Sequence, residues 1–398
     1  MTADALRPAP GEPLRVLRVI ARLNVGGPAR QVTALSRHLD PVLFDHRLLA
    51  GDVGAGEIDD LELRQVSIPL VRVRGLGRSP RPADDVRALA GVVREIRRFR
   101  PHVVHTHTAK AGALGRVGAS IASIAPARRP LLVHTFHGHL LQGYFSPPVR
   151  AAVVLAERLM AQRTDRLIAV GSRVRDELVA AGVGRRRPWD VVAPGVDLRP
   201  VPRREDARRT LGLGDGPVVA FVARLTAVKR PDRFVEVAAR VTAQRPEVTF
   251  VVAGNGELAD SARSWADAAG LGGSIRWLGW AADVEAVYAA SDVVVLTSDN
   301  EGMPVSLIEA GLAARPAVTT DVGSASEVVG HERTGIVVAP GDIDALAAGV
   351  LRLIDDPERA RAMGADAQRW AAERYSGARL AADTQRIYLE LATGRGWR

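Results

Sequence analysis

The chain has 398 residues, of which 47% are hydrophobic and 25% charged, the balance of a soluble globular protein long enough to bury two substantial cores. It contains no cysteine, which excludes disulfides, thiolate metal sites and cysteine nucleophiles, and no apolar run approaches the ~20 residues that span a bilayer. The net charge of +9 is uneven: residues 1–200 hold 31 basic and 18 acidic side chains, residues 201–398 hold 23 and 27, and residues 101–150 hold five basic and no acidic one.

Arginine bias explains the many cations but not the missing acids, so the first half is expected to meet a polyanion or an anionic membrane surface. Only two of the 54 basic residues are lysine, Lys110 and Lys229. In so arginine-rich a chain, a lysine hints at a site needing a compact ammonium.

Residues 1–13 are short, polar and Pro-rich, and read as a frayed tail without a signal peptide's apolar core, as in a cytoplasmic protein. A strand over Leu14–Ala21 leads through "RLNVGGPAR" to a helix from Ala29 to Leu39. Further strands are expected at Asp45–Ala50, Val66–Val71, His102–Thr106, Leu131–Thr135 and Arg166–Val170, with helices at Pro82–Arg98 and Pro148–Arg163. The latter, "PPVRAAVVLAERLMAQR", has the periodicity of a core-facing helix, with an amphipathic membrane-surface helix as the alternative.

The stretch "VVAPGVDLRPVPRRED" is rich in turn formers and marks a linker. Alternation then restarts. Strands are expected at Val218–Val222, Val248–Ala253, Ile275–Leu278, Val293–Thr297 and in "PAVTT", and helices at Pro231–Gln244, Leu258–Ala269, Ala282–Ala290 and Pro304–Ala314. Helices are then expected to the C-terminus. The fold class is α/β, with a first Rossmann-like domain over 14–195 and a second over 196–378, facing each other across a cleft. A last helix over 379–398 is expected to pack back on the first domain.

The sharpest motif is "SDNEGMPVSLIEA". Eight positions along a helix are a little over two turns, so Glu301 and Glu309 are expected on one side, a carboxylate near each end. The amides of Gly302, Met303, Pro304 and Val305 fall at the helix start; Pro304 has no N–H, and the others suit a phosphate. "FVARLTAVKRPD" places Arg224 and Lys229 after a strand end, two cations suited to a diphosphate leaving group. In "VVAGNGELAD", Gly254, Asn255 and Gly256 permit close approach to a flat base.

Taken in order, Arg224-x4-Lys229, "AGNGE", "EGMPVSLIE" and "TGIVVAPGD" closely resemble glycosyltransferase family 4, of GT-B fold, over nearly the whole chain. The resemblance implies a retaining hexosyl transfer from a nucleotide diphosphate sugar, most commonly a UDP-sugar, with no cofactor and usually no metal. It implies that Arg224 and Lys229 bind the donor pyrophosphate, Glu301 the sugar and Glu309 the ribose. It also places Gly26 and Gly27 of "NVGGPARQ" beside the donor phosphate, and His137 of "HTFHGHLLQGYFS" near the reacting sugar. His134 lies within its strand and reads as a satisfied core residue.

Six of the nine histidines cluster at positions 102, 105, 107, 134, 137 and 139, but no nearby carboxylate shares them as metal ligands, so no metal site is assigned. Arg30, in the first turn of the first helix, and Lys110 of "HTHTAKAGALGRVGA" are candidates for an acceptor phosphate, for instance on a polyprenyl carrier. A natural-product scaffold is the alternative acceptor, with the basic first half favouring the phosphate-bearing lipid. Partners are thus the donor, an anionic or lipid-linked acceptor with peripheral contact at the inner membrane face, and no nucleic acid. No carboxylate is apparent below the reacting carbon for a double displacement, so front-face substitution is expected. A nucleotide-sugar epimerase of the same fold and a polyanion-binding protein are the alternatives.

Overall fold

The computed structural model describes residues 6–9, 11–77, 79–123, 129–138 and 147–397. The chain divides into two compact units: residues 1–195 with 377–398, and residues 196–376.

The first unit opens with β1 (Leu14–Arg22), α1 (Gly27–His38), β2 (Phe44–Gly51), α2 (Asp60–Arg64) and β3 (Leu70–Arg72). It continues through α3 (Pro82–Phe99), β4 (Val103–His107), α4 (Ala109–Ala122), β5 (Leu131–Phe136) and α5 (Pro147–Ala161) to β6 (Arg166–Ala169), α6 (Ser172–Ala180) and β7 (Trp189–Val191). Its seven strands form a parallel sheet in the order β3-β2-β1-β4-β5-β6-β7. The central strands β1, β4 and β5 are buried almost throughout, and they bury polar residues of their own, Arg18, His105, Thr106, His107, His134 and Thr135, among their apolar ones. α3 shows how the ends are set: Pro82 begins it, Asp84 and Asp85 lie in the first turn, and Arg97 and Arg98 in the last. That order complements the helix dipole.

The second unit runs α7 (Arg204–Leu211), β8 (Val218–Val222), α8 (Pro231–Thr242), β9 (Thr249–Ala253), α9 (Ala259–Ala268), β10 (Ile275–Gly279), α10 (Val284–Ala290) and β11 (Val293–Leu296). It closes with α11 (Val305–Leu312), β12 (Ala317–Thr320), α12 (Ala325–Val328), β13 (Gly335–Val338), α13 (Ile343–Asp355) and α14 (Pro357–Arg374). Its parallel sheet has the order β10-β9-β8-β11-β12-β13.

The last helix, α15 (Gly377–Gly394), belongs to the first unit and packs on α1. It sinks Leu380, Ala381, Ile387, Tyr388 and Ala392 into the core that holds Leu14, Val16, Leu35, Phe44 and Val103. Each large apolar side chain so buried contributes about 1.5–3 kcal/mol, so this helix is integral to the unit.

Three expectations are corrected. The segment before β3 contains the short helix α2, so the strand falls at Leu70–Arg72 rather than Val66–Val71. The C-terminal region is not all helix, since Gly335–Val338 forms edge strand β13 on β12. α5 does not face the core: of its 15 residues only Glu157 and Ala161 are buried.

Candidate active site

In an open parallel sheet a ligand site lies at the carboxyl ends of the strands, where the strand order reverses. In the second unit that point falls between β8 and β11, and the two loops leaving these strands carry the predicted site.

The β8 loop holds Arg224, then a single 3-10 turn over Ala227–Lys229, and enters α8 through Arg230 in a left-handed conformation, φ 53°. The β11 loop is fastened to it. Thr297 Oγ1 donates to the carbonyls of Lys229 and Arg230, both at 3.0 Å, and the Asp299 amide donates to Val228 O at 2.9 Å. Across this seam Lys229 Nζ donates to Oε1 of Glu301, which also accepts from Ser298 Oγ at 2.7 Å. Arg224 is half-buried, and its guanidinium makes no hydrogen bond or ion pair among the described residues. A cation held by its own carboxylate thus sits on the same short loop as one that is uncommitted.

Glu301 lies in the loop, not on the helix, since α11 starts at Val305 with Pro304 at its N-cap. The expectation of two carboxylates on one helical face is therefore corrected; only Glu309 is on the helix. Glu309 is buried, and its Oε2 accepts from the fully buried Tyr288 hydroxyl on α10 at 3.0 Å. The amides of Gly302, Met303 and Val305 find no acceptor among the described residues. The Glu301 loop is also held by Gly323, φ 52°. There a Cβ would come within 1.8 Å of Glu301 O, while the neighbouring Ser324 amide donates to Gly302 O at 2.8 Å.

Gly254 and Gly256 have a reason of their own. A Cβ on Gly254 would come within 1.8 Å of Ala223 O, and one on Gly256 within 2.3 Å of Leu225 O. The close approach they permit is to the β8 loop, which Asn255 O also anchors by accepting from the Leu225 amide at 3.0 Å.

In the first unit the reversal falls between β1 and β4. Gly26 caps α1 at φ 154°, where a Cβ would meet only Asn24 O at 3.9 Å, so conformation rather than crowding calls for glycine. Gly27 is the first residue of α1. Arg30 pairs with the buried Asp60, Nε to Oδ1 3.2 Å. Lys110, in the first turn of α4, donates to Ser79 O at 2.7 Å and pairs with Asp85. The chain's own carboxylates thus engage both candidate acceptor cations.

Thr108, just before Lys110, caps α4 at φ 63°, ψ 157°, far outside the usual range of a β-branched residue. Its hydroxyl is buried without a hydrogen-bond partner. Neither Thr108 nor Tyr288 was reached from the sequence.

His137 follows β5 and is half-buried, its Nε2 3.0 Å from Nδ1 of the buried His107 on β4. Burial pushes His137 down to about 4. Burial, reinforced by His105 and His137, takes His107 well below the ordinary imidazole range. His105 is bonded on both sides, Nδ1 to the Tyr388 hydroxyl at 2.6 Å and Nε2 to Thr135 Oγ1 at 2.7 Å. His134 meets Thr106 Oγ1 at 2.8 Å inside the sheet. Among the described residues no three His, Asp or Glu side chains are grouped to hold a metal ion. His139 lies outside the described residues.

The model of Glycosyltransferase Family 4 matches residues 25–199 and that of Glycosyl transferases group 1 matches residues 203–370. The chain is also 31% identical to a D-inositol 3-phosphate glycosyltransferase from Thermobispora bispora, over 79% of this chain and 77% of that protein. The chain belongs to glycosyltransferase family 4.

This family-4 glycosyltransferase is 29% identical to an Escherichia coli UDP-Gal:alpha-D-GlcNAc-diphosphoundecaprenol alpha-1,3-galactosyltransferase, over 68% of this chain and 71% of that protein. Its fold is that of Anabaena HepE, whose crystal structure holds UDP-glucose: TM-score 0.79 at 23% identity, covering 96% of this chain and all of the other. Its architecture of two Rossmann-like units is therefore GT-B, and its donors are nucleotide sugars.

Proposed function

We propose that this family-4 enzyme moves a hexose from a UDP-sugar, with retention of configuration, to a hydroxyl of a lipid-linked, phosphate-bearing acceptor at the inner membrane face. The observation that carries the donor half is the seam at the second unit's sheet reversal. There Lys229 and Glu301 close on each other beside the uncommitted Arg224 and the free amides at the start of α11. A diphosphate entering this seam gains two cations and a helix N-terminus as charge develops on it. Glu301, released in part from Lys229, is then an acceptor for a sugar hydroxyl, and Glu309, held by Tyr288, for the ribose. Asn255 and the adjoining glycines hold the loop against which the base would lie. The UDP-Gal donor in the name of the Escherichia coli relative supports uracil as the base.

In this reading the bond from the anomeric carbon to the diphosphate oxygen breaks as the acceptor oxygen bonds to the same face. The acceptor proton passes to the departing phosphate oxygen, so no carboxylate nucleophile is needed. Arg224, Lys229 and the amides stabilise the leaving group, and His137, neutral and tied through Nε2, orients the sugar through its other nitrogen. Gly26 and Gly27 leave the α1 amides open to the donor phosphate. For the acceptor, the strained Thr108 with its unpartnered hydroxyl is a stronger candidate than Arg30 or Lys110, each of which would have to leave a carboxylate.

The lipid-linked acceptor is supported by the name of the Escherichia coli relative and by the basic first half. The test is a transfer assay pairing UDP- and GDP-hexoses with a polyprenyl-diphosphate sugar, reading the product's anomeric coupling by NMR. An axial product from an α-linked UDP-sugar is expected. An inverted product would sink front-face substitution, and transfer from GDP-sugars alone would replace the base.

A further inference from the structure

α5 is built inside out. Its single acid, Glu157, points inward and accepts two bonds from Arg116 Nη2 of α4, at 3.0 and 2.7 Å, in a buried ion pair. At ~100° per residue, Glu157 and Ala161 share one side of the helix, and Leu155 and Leu159 lie roughly opposite, with Pro148, Ala151 and Ala152 beside them. Leu155 is 56% exposed and Leu159 58%. Of the ten large hydrophobic residues exposed among the described residues, five are on α4 and α5: Val117, Ile121, Val149, Leu155 and Leu159. Single exposed leucines are ordinary, but a cluster on one helix pair marks a face that something covers.

The charge around the face selects what covers it. Residues 147–187 hold nine arginines and four acids. Each acid is matched within the unit: Glu157 by Arg116, Asp165 by Arg129, Asp176 by Arg175 and Glu177 by Arg173. Arg158, which flanks the leucine stripe, and Arg185 donate to main-chain carbonyls, which leaves their charge uncompensated. Arg163 lies just past the helix end, exposed. A two-fold contact between copies would set these arginines against each other, whereas an anionic lipid surface takes the leucines below its headgroups and the guanidiniums among them.

We propose that α5 is a membrane-docking helix, lying on an anionic bilayer surface with Leu155 and Leu159 immersed and Arg158 and Arg163 at headgroup level. The proposal deepens the reading of a lipid-linked acceptor and rests on it for its purpose, but its test does not require transfer.

The test is co-sedimentation of the full chain with vesicles of phosphatidylcholine, alone or mixed with phosphatidylglycerol, beside the Leu155→Ser/Leu159→Ser and Arg163→Gln variants. Thermal midpoints serve as the folding check. Binding to the anionic vesicles only is expected, weakened at least about tenfold by the double serine variant and about fivefold by Arg163→Gln. No binding by the wild type, or equal binding by the double variant, overturns the proposal. So does self-association in lipid-free solution that the double variant abolishes, because the face then belongs to a second copy. Transfer to a water-soluble acceptor analogue separates the two readings. Transfer without vesicle binding leaves the function and removes the docking helix; vesicle binding without transfer does the reverse.

Discussion

Lys229 and Glu301, 72 positions apart in sequence, meet through Nζ and Oε1 at the point where the second sheet reverses its strand order. The Glu301 side chain is only 7% exposed, so Lys229 is both a ligand for incoming charge and the counter-ion of a nearly buried carboxylate. Lys229→Ala is therefore expected to lower kcat by at least about 100-fold and also to destabilise the second unit by about 1–3 kcal/mol. The double variant Lys229→Ala/Glu301→Ala should regain stability while staying inactive. Urea unfolding beside initial rates separates the two effects, and a near-normal rate in Lys229→Ala would remove it from the leaving-group site.

Gly323 holds the Glu301 loop by lacking a side chain. Gly323→Ala forces a Cβ to 1.8 Å from Glu301 O at a positive φ, a strain of about 2–4 kcal/mol. Loss of nucleotide binding with a lowered thermal midpoint is expected. Gly214→Ala, where a Cβ would meet nothing within 4 Å, is the control and should change stability by less than about 0.5 kcal/mol.

Thr108 trades stability for position in this account. Thr108→Gly relieves a strain of about 1–3 kcal/mol, so the thermal midpoint should hold or rise while the acceptor KM increases and the donor KM stays put. Unchanged acceptor kinetics would show that the strained hydroxyl has no part in binding.

The buried imidazoles fix a pH dependence. His105, His107 and His134 lie well below their ordinary range through burial, and His46 and His137 are at about 4. Between about pH 6.5 and 4 the unfolded chain takes up protons that the folded first unit refuses, so stability is full above about 6.5 and falls with pH. Each buried histidine contributes a slope of up to about 1.4 kcal/mol per pH unit. Thermal midpoints between pH 6.5 and 5, where most carboxylates stay ionised, should fall steadily. A flat profile would contradict neutral burial of this cluster.

Much of the fold was legible because strands buried on both faces read as continuous apolar runs: "VVAFV" lies at β8 with no adjustment of its ends. The short edge strands β7 and β13 were not legible. β7 has three residues and β13 four, and their pairing, rather than their own composition, makes them strands. α5 misled for a physical reason: its periodicity reveals an apolar stripe but not which way the stripe faces. That is decided by Arg116, 41 positions before Glu157. The same non-locality hid the carboxylates against Arg30 and Lys110 and the hydroxyl of Tyr288 on Glu309. The glycines of "AGNGE" were legible as points of close approach, though not what approaches them.

The measurement that bears most directly on the donor site is calorimetric titration, with thermal shift, of UDP, GDP, ADP and dTDP into the wild type and Glu309→Ala. Saturable binding of one nucleotide, with UDP the strongest, and its loss in Glu309→Ala is the predicted result. No binding to the wild type, or undiminished binding to Glu309→Ala, would contradict a nucleotide-sugar site built on Arg224, Lys229, Glu301 and Glu309.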